Sequence, residues 1–283
     1  MYCTRGECHD ISCSPATSHP DLSCNHLEAD TSMFYVLSRL EEKEESFVID
    51  SEDADVVVLA AHVGHKFSGV LGIKRKKRIF DCKLLCTSKM AEVAVRLHVM
   101  TGCDSVSSFF GIGKKAVWKQ VSNNLEAQQL RLDFSDEALT NFTIKYIYRD
   151  NQSSTLAQMR EKEWRKMKKK SLARAGIDND TSLLRINRVQ YQTAVFENYA
   201  EQFSTICPLN GGYYVNGNVC VPIKYTKPAL PDELVYQPVD ILNDEENATD
   251  REEDDSDDDD EEDMDEGLLS VDYDNLVDSD VDI

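Results

Sequence analysis

No stretch of this 283-residue chain is long and apolar enough to span a bilayer, and its first residues hold no apolar signal-peptide core. Those two absences argue against a membrane span and a secretory route, so the sequence reads as an intracellular, reduced protein. Its nine cysteines are odd in number and scattered, which argues against a disulfide framework. Cys3, Cys8 and Cys13, with His9 and His19 nearby, follow a Cys-x4-Cys-x4-Cys spacing rather than the Cys-x2-Cys knuckle that structural zinc uses. Residues 1–21 also lack periodicity and read as a disordered lead-in. Nor does the chain offer a Ser-His-Asp or Cys-His arrangement, which removes the common nucleophilic hydrolases from consideration.

What is abundant is acid, and it is unevenly spread. The net charge is −21, yet residues 240–283 alone hold 23 acidic residues against one basic residue, Arg251. The first 239 residues keep 29 acidic and 30 basic side chains and are therefore almost neutral. That tail, nearly all Asp, Glu, Ser and Asn before Leu268-Leu269 and Val271-Asp272-Tyr273, cannot bury enough surface to fold alone. It reads as a disordered acidic tail with a protein partner open to it. The body, in a chain that is 41% hydrophobic, has the apolar content for a real core.

The stretch from Thr101 to Trp118 organises that body. It reads as the end of one helix, a loop carrying Asp104, a turn on Gly111-Ile112-Gly113, and a second helix opened by Lys114 and Lys115. Glycines that allow close backbone approach, beside a helix N-terminus and two cations, make a phosphate cradle. Gly111, Gly113, Lys114 and Lys115 are its nucleic-acid-binding candidates, and a plain glycine-capped turn is the bland alternative.

Upstream lie two acidic pairs at the edges of apolar segments. Glu28 and Asp30 open a helix whose residues Met33, Val36, Leu37 and Leu40 recur at helical spacing. Asp53 and Asp55 follow the strand Phe47-Val48-Ile49, at the strand end where open α/β sheets put their sites. Phe67–Ile73 and Arg78–Cys82 predict a hairpin with a basic tip, and Met90–Met100 a helix that delivers Asp104. Phe134–Tyr148 predicts another helix, residues 158–175 a basic one, Leu183–Phe203 a further helix, and Cys207 to Pro231 a turn-rich β appendage. His62 and His65 are assigned no role.

In order and wording, Glu28-Ala29-Asp30, Glu52-Asp53-Ala54-Asp55, Gly102-Cys103-Asp104 and Gly111-Ile112-Gly113 resemble the nuclease core of the flap endonuclease family, a branch of the PIN-like nucleases. The resemblance covers roughly residues 22–122 and is closer still to animal proteins associated with mobile elements. It implies an α/β fold, an incomplete PIN/flap-endonuclease-like sheet with a helix-hairpin-helix module, placed in residues 22–150; composition and periodicity set a helical region with the β appendage over 151–239 and the disordered acidic tail from 240. It implies Mg²⁺ or Mn²⁺ held by Glu28, Asp30, Asp53, Asp55 and Asp104, DNA as partner, and phosphodiester hydrolysis, while the basic tip Lys74-Arg75-Lys76-Lys77 is a candidate import signal that points to a nuclear location. The family's leading strand, with a further Asp, and its basic arch have no counterpart before Glu28. Weak or lost activity is the expectation that follows, and an inactive nuclease-derived module that binds DNA or protein is the alternative.

Overall fold

The computed structural model describes residues 2–4, 7–10, 17–18, 22–26, 28–40, 46–166, 176–201, 207–217 and 219–224. Residues 167–175, the second half of the basic helix expected over 158–175, lie outside them, as does the whole acidic tail. Where the lead-in offers no sequence periodicity, the backbone pairs β1 (Tyr2–Thr4), β2 (Glu7–Asp10) and β3 (Thr17–Ser18) into a small antiparallel sheet. Strands of two to four residues are too short for a period to emerge from composition.

After α1 (Ala29–Leu40) the chain enters β4 (Ser46–Asp50), crosses through α2 (Ala54–Gly64) and returns as β5 (Val70–Arg75), parallel to β4. β6 (Arg78–Asp81) closes the sheet antiparallel to β5 across a two-residue turn, Lys76-Lys77, with Lys76 at φ 53°. The molecule is therefore mixed α/β with small sheets. α2 is buried from Val56 through Gly64 because β5 covers one side and α3 (Ser88–Thr101) the other, which is why its sequence is apolar all round.

The period-2 alternation of the three strands separates their side chains cleanly. Leu71 and Ile73 are fully buried, with Phe47, Ile49 and Phe80 packed on the same core. On the other face Val48, Val70 and Ile79 are 55%, 57% and 61% exposed. Gly72 lies between Val48 and Ile79, and a Cβ there would meet Ile79 Cγ2 at 2.9 Å. The outer edge of β4 has no partner strand among the described residues.

α4 (Lys114–Ser122) follows the loop after α3. The helix expected over Phe134–Tyr148 is divided: α5 (Asp136–Phe142) starts at Ser135, whose hydroxyl accepts from Ala138 N, and then widens into a π turn over Thr143–Ile147. Beyond it come α6 (Leu156–Lys166), α7 (Asn179–Glu197) and the hairpin of β7 (Tyr213–Asn216) with β8 (Val219–Pro222). Ile186, Val189, Val195 and Phe196 of α7 share one hydrophobic cluster with Val93 and Leu97 of α3. The core thus crosses residue 150, and most of α7 is integral to it. Arg96 reinforces this junction by donating to both Glu197 oxygens (2.8 and 3.3 Å) and to the carbonyls of Leu130 and Arg131 (3.0 and 2.8 Å). No described helix is long and apolar enough to cross a membrane.

Candidate metal centre

Three chain segments bring carboxylates to one place, and each has a local reason to do so. Asp53 is the N-cap of α2: its Oδ1 accepts from Asp55 N at 2.8 Å, while its own N–H donates to Ser51 Oγ at 3.1 Å. Glu28 precedes α1, with its carbonyl accepting from Ser32 N at 3.2 Å and Ser32 Oγ at 2.8 Å. Both helix mouths favour anions because their first N–H groups are unpaired and the dipole is positive there. The third segment leaves α3 at Gly102, where φ is 120° and a Cβ would lie 2.8 Å from Ser108 Cα. Cys103 and Val106 then exchange backbone hydrogen bonds of 2.8 and 3.1 Å, which leaves Asp104 and Ser105 at the tip of a tight turn.

One carboxylate oxygen from each of Asp30, Asp53 and Asp55 lies within 4.8 Å of the others. Glu28 and Asp104 join them electrostatically. Burial, then the charges of Asp55 and Asp104, raise the Glu28 carboxyl. Burial, then Asp53, Asp55, Glu28 and Asp104, push Asp30 up to about 6. The five acids named from the sequence are therefore one electrostatic group, drawn from segments up to 76 positions apart (Glu28 to Asp104).

Two buried groups hold the centre of that group in place. His98, on the inward face of α3 and 2% exposed, donates through Nε2 to Asp55 Oδ1 at 2.6 Å. Burial by itself would raise the Asp55 carboxyl, but the hydrogen bond and charge of His98, with Lys114, outweigh it and leave the group below its usual value. Lys114 turns inward and donates to Gly102 O at 2.5 Å. Burial pulls its amine down to about 8, against the opposing pull of Cys103, Asp55 and Asp104. Lys115, Gly111 and Gly113 are exposed, and Gly111 takes φ 70° with open space around it. The two lysines thus have different surroundings: one faces the acids, the other faces solvent.

Not every acid of the Asp50–Asp55 run takes part. Asp50 accepts from Lys74 Nζ at 2.6 Å, and Glu52 pairs with Arg75 at 3.5 Å and accepts from Lys76 N. These contacts turn both toward the hairpin and occupy part of its basic tip. His62 donates to Ala91 O at 2.8 Å and accepts from Lys66 Nζ at 2.8 Å, so it is an anchor between α2 and α3.

The donor set suits a hard divalent cation, which takes oxygen ligands from carboxylates. Burial first, and then like charges this close together, disfavour full ionisation without a counter-charge, and Asp30 and Glu28 are raised accordingly. Sequence reasoning missed four contributors. His98 was readable as inward-facing, but its acceptor lies 43 residues away. Arg185, 3% exposed, clamps the Asp104 loop by donating to Met100 O at 2.6 Å and to Ser107 O, with its guanidinium 4.0 Å from the Phe109 ring centroid. Gln192 and Tyr213 line a cavity beside Glu28 and carry no local motif. Compared with known protein families, curated proteins and solved structures, the chain matches none of them.

Proposed function

We propose that this chain is a divalent-metal-dependent phosphodiesterase of the flap-endonuclease, PIN-like type that acts on DNA, in keeping with a nuclear location. The convergence of Asp30, Asp53 and Asp55, with Glu28 and Asp104 in charge contact, carries the reading. Asp53, Asp55 and Asp104 would be direct or water-bridged ligands of one Mg²⁺ or Mn²⁺, and Glu28 and Asp30 would complete the shell of a second. Such ions, when bound, lower the pKa of water and stabilise charge on the phosphate oxygens.

The chain's own groups supply orientation. His98 fixes one Asp55 oxygen and leaves the other free for a ligand. Arg185 and Gly102 set the loop on which Asp104 stands. Lys114 supplies positive charge close enough to act on Asp55 and Asp104. Lys115 and the open backbone at Gly111 and Gly113 are available to duplex phosphates, in the manner of a helix-hairpin-helix, which grips backbone without reading bases.

A second reading, a nuclease-derived module without turnover, is favoured by the outer edge of β4, which has no partner strand among the described residues, and by the exposed Val48, Val70 and Ile79 on its sheet. A sheet left open on that side supports its carboxylates less firmly, and an error of about 1 Å in a reacting constellation costs roughly a hundredfold in rate. Purified protein with flap and nicked duplex DNA separates the readings. Mn²⁺ is expected to raise the melting temperature, with slow cleavage abolished by Asp53→Ala or Asp104→Ala. Tight DNA binding that ignores metal selects the inactive module, and the absence of both metal and DNA binding overturns the assignment.

A further inference from the structure

A cavity of about 200 Å³ adjoins the acid group, lined in part by Glu28, Thr31, Ser105, Tyr191, Gln192 and Tyr213. Glu28 belongs to the acid group, and Ser105 stands next to Asp104, so the cavity and the carboxylates share a wall. We propose that this cavity receives one unstacked nucleobase, the base attached to the nucleotide whose phosphate lies at the carboxylates. The inference rests on the phosphodiesterase reading and extends it to a substrate class: an unpaired nucleotide in a single strand, flap or frayed end.

Three features of the cavity select that occupant. Gln192 is 5% exposed, and its amide has no hydrogen-bond partner among the described residues. An amide carries both donors and an acceptor, and those of Gln192 stay accessible from the cavity, where they need a partner, water or ligand. A base edge presents donors and acceptors in the same plane and answers that need. Tyr191 and Tyr213 stand with ring centroids 5.5 Å apart at 57°, forming an aromatic corner against which a flat ring system of any identity can stack. Arg188 lies 5.9 Å from the Tyr213 ring centroid and donates to Ile223 O, which braces that wall. The volume falls below the roughly 300–1,000 Å³ of pockets that enclose whole ligands, so it suits one planar ring system of a longer chain. A base held in a duplex cannot reach such a recess, whereas an unstacked one can.

The wall arises from tertiary packing. Tyr191 and Gln192 come from α7, and Gly211 lets the chain pass against Tyr191, since a Cβ there would lie 2.5 Å from Tyr191 Cβ. That close approach carries Tyr213 into position opposite α7.

The test walks a single abasic residue through every position of a DNA single strand about a dozen nucleotides long, bound in Ca²⁺ and read by fluorescence anisotropy. One position is expected to lose about tenfold or more in affinity, the size of one base-stacking contact. Gln192→Leu or Tyr213→Leu should erase that positional loss while the metal-induced rise in melting temperature persists. Because the walk uses the unmodified chain, it stands even if a variant fails to fold. A flat abasic profile, with strand and metal still bound, overturns the base subsite and leaves the phosphodiesterase reading intact. Loss of both metal stabilisation and strand binding in the unmodified chain overturns the two together.

Discussion

Asp30 and Asp150 are both partly shielded carboxylates, and their surroundings drive them in opposite directions. Asp150 is wrapped by its own turn: it accepts from Ser153 Oγ, Gln152 N at 2.9 Å, Ser153 N at 3.2 Å and Lys162 Nζ at 2.9 Å. Led by the Ser153 bond, these partners hold it well below the usual carboxylate range. Asp30 meets burial and four other acids and rises to about 6. A carboxylate whose donors are supplied by the chain is a structural brace. One whose neighbours are other carboxylates is unfinished without a cation from outside.

Three measurements press on this contrast, and the largest effect is on metal affinity. Asp30→Asn is expected to weaken Mn²⁺ binding about 10- to 100-fold, by analogy with losses around metal sites. It should leave the metal-free protein as stable as before or more so, because it removes one repelling charge. A drop in metal-free melting temperature without loss of Mn²⁺ affinity would make Asp30 a brace like Asp150.

Next in size, Asp150→Asn should cost about 1–3 kcal/mol of stability, the range for stranding charged hydrogen-bond partners. Its Mn²⁺ response should be unchanged. Denaturant unfolding with and without Mn²⁺ reads both quantities, and a lost metal response would join two regions that the contrast separates.

The smallest effect lies in pH. The raised Asp30 binds its proton more tightly folded than unfolded, so its stabilising contribution is complete below the ordinary aspartate value of 3.8 and is lost as pH rises through about 6. The depressed Asp150 works the other way, with its contribution present above 3.8 and lost as pH falls toward its lowered value. A cation needs the ionised carboxylate, so the melting-temperature gain from Mn²⁺ should be largest well above pH 6 and fade as pH falls through about 6. A gain that is flat from pH 5 to 8 would remove Asp30 from the ligand set.

Much of this contrast was visible in the sequence wherever it depended on near neighbours. The period of Met33, Val36, Leu37 and Leu40 predicts α1, the apolar runs predict β4, β5 and β6, and Gly111 sits where a positive φ of 70° is needed. The helix over Phe134–Tyr148 was only half legible, because a π turn and an α turn share nearly the same apolar spacing. The boundary drawn at residue 150 followed composition, whereas α7 joins the earlier core through Ile186, Val189 and Phe196.

By itself the sequence determined many of the local elements from α1 onward, though not the strands of the lead-in, together with the near-neutral body with its acidic tail and the identity of five acids at the ends of apolar segments, since each follows from residues within a few positions of one another. The tertiary structure decided which of those acids meet. It turned Asp50 and Glu52 toward the hairpin, gave Asp55 to His98, and set Gln192 and Tyr213 beside Glu28. Such distances depend on how α1, α2, α3 and α7 pack around a shared core, and no local period encodes the packing of elements far apart in sequence.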